Sequence, residues 1–78
     1  MEGTLGEIVL FAGGYDPKNW RRCDGGVLEV GDNPALFSII SNRHGGDGID
    51  NFNLPNIESP HPELRYIICV QGNYPSRN

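Results

Sequence analysis

Only two stretches of this chain, IVLFA at 8–12 and YIICV at 66–70, stay apolar for five residues running. Between and around them lie eleven glycines and six prolines, in a chain of 78 residues. Runs that short fill one strand each and fall far below the ~20 apolar residues that span a bilayer. The remaining apolar content, 37% hydrophobic residues in all, is enough for a core and too much for a disordered tail. A turn-rich, mainly β domain follows: one domain, residues 1–78, with no linker or internal repeat. No charged segment leads into an apolar run at the start, so no secretory signal is expected.

A core this small is only marginally stabilising and calls for a staple. The two cysteines, Cys23 and Cys69, permit one bridge but form no metal-binding spacing. In a reducing compartment both stay free thiols, which leaves self-association as the favoured staple. The formal net charge of -4 argues against a duplex nucleic-acid binder, which needs a basic face.

The local signals set an order of elements. GEIVLFAG (6–13), closed by glycines, reads as a buried strand. Asp16-Pro17 marks a turn. In WRRCDGGVLEV (20–30), Asp24-Gly25 predicts a hairpin with Trp20–Cys23 on one arm and Val27–Val30 on the other. Asp32 or Asn33 can cap a helix over 34–41, with Pro34 at its first position and Leu36, Phe37 and Ile40 on one face. A brief extended FNLP follows a polar loop. Prolines 55, 60 and 62 make 55–63 an irregular connector. ELRYIICVQG (63–72), the densest apolar run, is the last strand and the central one. A polar, extended tail ends the chain.

The chemistry concentrates in two places. The first is the loop SNRHGGDGIDNFNLPN (41–56). A metal reading would use His44, Asp47 and Asp50, but the alternating carboxylates and terminal glutamate of a calcium loop are missing. For zinc, His44 and His61 are far apart in sequence and have no paired cysteines beside them. A Walker phosphate loop would need Gly-Lys-Ser/Thr, which is absent; a looser anion nest from the amides of Gly45, Gly46 and Gly48 is compatible with the composition. The plainest reading is a framework turn over Gly45, Gly46, Asp47 and Gly48, with glycines at positive φ and amides bonded to the loop's own backbone.

The second place is Trp20 with Arg21 and Arg22. An aromatic beside guanidinium groups can stack on a planar ligand and hold an anion, but the commoner arrangement, and the one expected here, is a core tryptophan with the arginines on a solvated arm. Cys23 with His44 or His61 makes only a weak nucleophile pair; a buried apolar role suits such a cysteine better. The acids Glu7, Asp24, Glu29 and Asp47 show no spacing that forces a pair. Neither a metal nor a cofactor is expected, and no catalytic residue.

Four stretches, in order, resemble the phage tail-collar family, including microcystin-dependent proteins. The first, GEIVLFAGGYDPKNWRRCDGG, supplies Gly6, Glu7, Ile8, Phe11, Ala12, Gly13, Pro17, Trp20, Cys23, Asp24 and Gly25. NPALFSII resembles the family's Asn-Thr-Ala-Leu-Phe-Ser-Leu-Leu, and HGGDGIDNFNLPN its Tyr-Gly-Gly-Asp-Gly followed by Phe-x-Leu-Pro-Asp. YIICVQGNYPSRN resembles the closing motif. His44 replaces the usual tyrosine, IESPHPEL stands in place of Leu-Arg-Gly-Arg, and the glycine-rich insertion before the last strand is missing: a minimal form. The resemblance implies a non-enzymatic collar module of a tail fibre or related surface assembly, structural or adhesive. It implies a homo-oligomer, a trimer by preference, sited in a virion and near a receptor. A different class of function is a free protein, in host cytoplasm, that sequesters a small anionic ligand such as a nucleotide signal. That reading would draw on Trp20, Arg21, Arg22, Arg43 and His44.

Overall fold

A computed structural model describes residues 1–76. Its elements in chain order are β1 (Ile8–Phe11), β2 (Trp20–Arg22), β3 (Val27–Glu29), α1 (Pro34–Ile40), β4 (Asn51–Asn53) and β5 (Arg65–Cys69). The densest apolar run takes the middle of the larger sheet, ordered β1-β5-β2, while β3 and β4 form a two-stranded sheet. The three strand ladders, β1–β5, β2–β5 and β3–β4, are antiparallel. This is a small, mainly β fold with one short helix.

β5 separates two apolar clusters because successive side chains leave a strand on opposite faces. On one face Ile67 and Cys69 pack with Trp20, and Val9 and Phe11 lie against them. On the other, Ile68 joins Leu5, Cys23, Leu28, Leu36, Ile40, Phe52 and Leu54 in the main core. Ile67, Ile68 and Cys69 are all fully buried. The expectation of a central last strand holds, with the ladder confined to 65–69.

The hairpin expected over 20–30 does not form. β2 pairs with β5 in the register Trp20↔Cys69 and Arg22↔Ile67, and β3 pairs with β4. Asp24-Gly25 does turn the chain, but the turn parts the two arms. The Asp24 carboxylate accepts the Gly26 N–H at 2.9 Å, and the Gly25 N–H goes to the Pro55 carbonyl at 3.2 Å. Burying the Trp20 ring against Ile67 and Cys69 outweighs the local hairpin preference.

β1 is likewise not the buried strand expected. It lies at a sheet edge, and its exposure alternates, with Ile8 38% and Leu10 45% exposed. The turn that starts it explains the Gly6-Glu7 pair. The Glu7 N–H bonds the Thr4 carbonyl at 2.9 Å, and Gly6, third in that turn, has φ +83°, where glycine is required at low cost. The Gly6 N–H then donates to the Cys69 carbonyl (3.0 Å), and the Cys69 N–H donates to the Glu7 carbonyl (2.9 Å). Two residues thus face one, a glycine bulge that launches β1 along β5.

The helix occupies 34–40, one residue short of the expected span. Pro34 opens it, and Leu36 and Ile40 are buried, while the Phe37 ring meets Phe52 with centroids 5.2 Å apart. Neither Asp32 nor Asn33 caps it through its side chain. The Asn33 amide donates instead to the Glu29 carbonyl at 3.1 Å, tying the helix start to the end of β3. The chain ends lie side by side: Thr4 and Asn73 form a parallel bridge, with Leu5 N–H to the Asn73 carbonyl at 2.8 Å and Asn73 N–H to the Gly3 carbonyl at 3.1 Å. Of the tail, Arg77 and Asn78, the end of the closing motif, lie outside the described residues.

Phe52, with no exposed surface, joins β4 to the helix. Phe52→Ala is expected to cost about 3–5 kcal/mol. A domain of this size has about 5 kcal/mol or less, so a urea titration should show a largely unfolded variant in water.

Candidate functional site

The loop after α1 is built almost wholly from its own hydrogen bonds. One oxygen of Asp47 accepts the N–H groups of Ile49 and Asp50 at 2.8 Å and of Asn51 at 3.1 Å. The Asn51 side-chain oxygen returns the contact by accepting the Asp47 N–H at 3.1 Å. An anion nest therefore exists, but its amides belong to residues 49–51 rather than to the glycines, and its anion is the chain's own Asp47. Of the glycine amides, Gly45 donates to the Asn42 carbonyl and Gly48 to the Asn51 carbonyl. Gly45, Gly46 and Gly48 all lie at positive φ.

The same bonds close a sheet edge. The β3–β4 ladder uses Leu54 N–H to the Gly26 carbonyl and Val30 N–H to the Asp50 carbonyl, so Asn51 and Asn53 turn their backbone groups away from β3. There the loop meets them. Asn53 N–H donates to the Gly45 carbonyl, the Asn51 carbonyl accepts from Gly48, and Asn51 N–H goes to Asp47. Gly46 sits so close that a Cβ on it would lie 2.6 Å from the Phe52 Cα and 2.8 Å from the Asn51 carbonyl oxygen.

The five residues considered for a ligand site are not brought together. Trp20 is 3% exposed and donates its indole N–H to the Met1 carbonyl at 3.2 Å, so its ring fills core and offers no stacking face. Arg21 and Arg22 are exposed but leave β2 on opposite faces. Arg43 and His44 are exposed in the turn after α1, beside the other sheet. No hydrogen bond joins the two groups among the described residues.

Arg22 instead borders a cleft of about 250 Å³ with Asp24, Asn56, Ser59, Arg65 and Tyr66. Arg65, which sequence reasoning passed over, shares the face of Arg22 through the register Arg22↔Ile67. It is held by Asp16 at 3.4 Å. Arg65 is thus paired with Asp16, and Asp24 lines the cleft along with Arg22. Cys23 lines the same cleft, its thiol pushed up to about 11 by burial and then by the Asp24 carboxylate. At neutral pH it is a protonated thiol packed as a small apolar group. Burial also raises the Cys69 thiol, and both cysteines are free. Among the described residues no three His, Cys, Asp or Glu side chains converge on one point.

The loop, the turn at Gly6 and the split at Asp24-Gly25 lie within one stretch, residues 6–61, that matches the family model of the Phage Tail Collar Domain. The chain belongs to that family. The matched span of this collar domain opens on the bulge glycine Gly6 and runs through β1, β2, β3, α1, the loop and β4; β5 lies beyond it. The collar family consists of structural modules of phage tails. A comparison with curated proteins finds no match. Among the described residues no helix is long and apolar enough to cross a membrane.

Two expectations follow for the loop. Gly46→Ala combines positive φ with backbone collisions and should cost about 2 kcal/mol or more, whereas Gly14→Ala, with nothing within 4 Å, should stay within about 0.5 kcal/mol. Thermal melts of the pair check the contrast. Backbone N–H donors hold the Asp47 carboxyl below the ordinary aspartate range, Ile49 first, then Asn51 and Asp50. A lowered folded pKa gives stability that is fully present above the unfolded value and lost as pH falls through the folded one. Asp47→Asn should therefore lower Tm at pH 7, with the gap to wild type closing as pH falls below about 3.9.

Proposed function

We propose that this collar domain is a non-catalytic structural module of a phage tail or tail fibre, carried in the virion as a homo-oligomer. The observation that carries the reading is the family match over 6–61, which covers the launch of β1, the helix and the edge-closing loop. The chemistry is consistent with it. The Asp47 and Asn51 side chains of the loop are spent on backbone groups, and the thiol at the Arg22–Arg65 cleft is protonated at neutral pH.

Self-association is supported by what stays outside the core. Ile8, Leu10, Val27, Ile49, Ile57 and Tyr74 are all exposed, a large apolar share for the surface of so short a chain. Covering some of them in contacts between copies adds burial that a 78-residue core lacks. The alternative of a free protein that sequesters an anion has less to draw on. The Trp20 ring is enclosed, the Arg22–Arg65 cleft is lined by the Asp24 carboxylate, and Arg65 is already paired with Asp16.

Sedimentation analysis of the purified protein across the micromolar to millimolar range should show reversible assembly. Mass spectrometry of purified particles from an infected culture should find the protein in the tail. A folded monomer at every concentration, absent from particles, overturns the proposal.

A further inference from the structure

The cleft bordered by Arg22 has two walls of different origin. Arg22 and Asp24 come from the end of β2 and the turn after it, and Asn56 faces Asp24 across an antiparallel bridge. The second wall is the proline-rich stretch IESPHPEL (57–64), which contributes Ile57, Pro62 and Leu64. The family match ends at residue 61, inside this wall. The wall is fixed by its own bonds. The Ser59 hydroxyl serves the carbonyls of His61 and Leu64 and accepts the His61 N–H at 3.2 Å. Nδ1 of His61 in turn accepts the Glu63 N–H at 3.1 Å.

The Asp24–Asn56 bridge is flanked by two bonds, Ile57 N–H to the Cys23 carbonyl at 3.0 Å and Gly25 N–H to the Pro55 carbonyl at 3.2 Å. That pattern makes it a non-hydrogen-bonded pair, whose side chains stand on one face with Cβ atoms about 4.5–5.5 Å apart. One Asp24 oxygen is spent on the Gly26 N–H at 2.9 Å. The other Asp24 oxygen, the Asn56 carboxamide and the Arg22 guanidinium have no hydrogen-bond or ion-pair partner among the described residues. Three unspent polar groups therefore share one cleft: an acceptor, a fork of donors, and an amide that is both. The loop at Asp47 differs in this respect, because its carboxylate and the Asn51 amide are consumed by backbone groups.

A free carboxylate and a free guanidinium in one cleft disfavour a simple ion of either sign. They suit hydroxyl groups, which donate and accept at once. Ile57, Pro62 and Leu64 add an apolar side. A sugar ring has the same division, with hydroxyls along its edge and C–H bonds on its face. At about 250 Å³ the cleft lies below the ~300–1,000 Å³ of pockets for drug-sized ligands, which limits it to a single ring. We propose that this cleft binds one pyranose ring of a neutral saccharide. Two adjacent hydroxyls meet the free Asp24 oxygen and the Asn56 carboxamide, a third accepts from Arg22, and the C–H face rests on Ile57, Pro62 and Leu64. The site lies within one chain and needs no second copy, so it goes beyond the structural role proposed above and does not depend on it. Water competes at so open a cleft, which sets the Kd for a single ring on the order of millimolar. Copies joined in an oligomer bind a polysaccharide more tightly, through avidity.

An NMR titration of the whole chain tests this with the methyl glycosides of glucose, mannose and galactose and with N-acetylglucosamine. Together these present equatorial and axial neighbouring hydroxyls. Sorbitol, an open-chain polyol, and acetate and inorganic phosphate serve as controls. At least one pyranoside should give saturable shifts at the amides of Asp24, Asn56, Ile57 and Leu64, and sorbitol should not. Asn56→Ala keeps the backbone bridge and removes the carboxamide. Asp24→Asn keeps an oxygen for the Gly26 N–H and replaces the free one by a donor. Each should weaken binding about tenfold, whereas Glu29→Gln on the second sheet should leave it unchanged. No saturable shift with any of the four sugars overturns the proposal. So do shifts with acetate or phosphate alone, which mark an anion site, and sugar binding that both cleft variants retain. If Asp24→Asn fails to fold, Asn56→Ala and the wild-type shifts decide. Each of these failures leaves the tail role standing, because that role is read from particles and sedimentation.

Discussion

Pairing of β5 on both sides is the constraint on which the rest of the structure hangs. Its odd-numbered residues bond toward β1 and its even-numbered ones toward β2. Its side chains divide the apolar material between two clusters, which is why Ile67, Ile68 and Cys69 reach zero exposure in so small a chain. β1 and β2, four and three residues long, take their places from it, while β3 and β4 pair with each other in the second sheet. The bulge at Gly6 points at Cys69, and the turn at Asp24 releases the chain only after Cys23 has bonded Tyr66.

Short strands leave a large share of backbone groups at edges, and the loops answer that demand with specific chemistry. Asp47 satisfies three amides with one oxygen, Asn51 answers with its own side chain, and Gly46 lets the loop approach β4 within a distance no side chain would permit. Glycine is therefore structural material in this collar domain. The polar loop that invites a metal or phosphate reading is spent on its own backbone.

What could be read in the sequence was what depends on neighbours along the chain. Pro34 and the spacing of Leu36 and Ile40 mark the helix, the YIICV run marks the buried centre, and the glycines around Asp47 mark a turn. What depends on distant partners could not be read. Asp24-Gly25 signals a reversal, but whether the flanking arms pair is decided by Trp20 finding Ile67 and Cys69 more than forty residues away. The same burial removes Trp20 from any stacking role while leaving Arg22 at the surface. Arg65 carried no local signal; only the register of β5 against β2 sets it on the face of Arg22. IVLFA looks as buried as YIICV, yet a strand with a neighbour on one side covers only alternate residues.

The parallel bridge between Thr4 and Asn73 has a mechanical meaning. Because the two segments run in the same direction, the chain enters at one end of the bridge and leaves at the other. Tension applied through residues 1 and 76 pulls the segments past each other, lengthwise. The Leu5–Asn73 and Asn73–Gly3 hydrogen bonds then bear the load together in shear, whereas an antiparallel arrangement would open them one at a time. Tyr74, bonded to Ser38 at 2.6 Å, passes part of that load to the helix. Pulling on these two segments therefore loads the bridge in shear and does not peel it open.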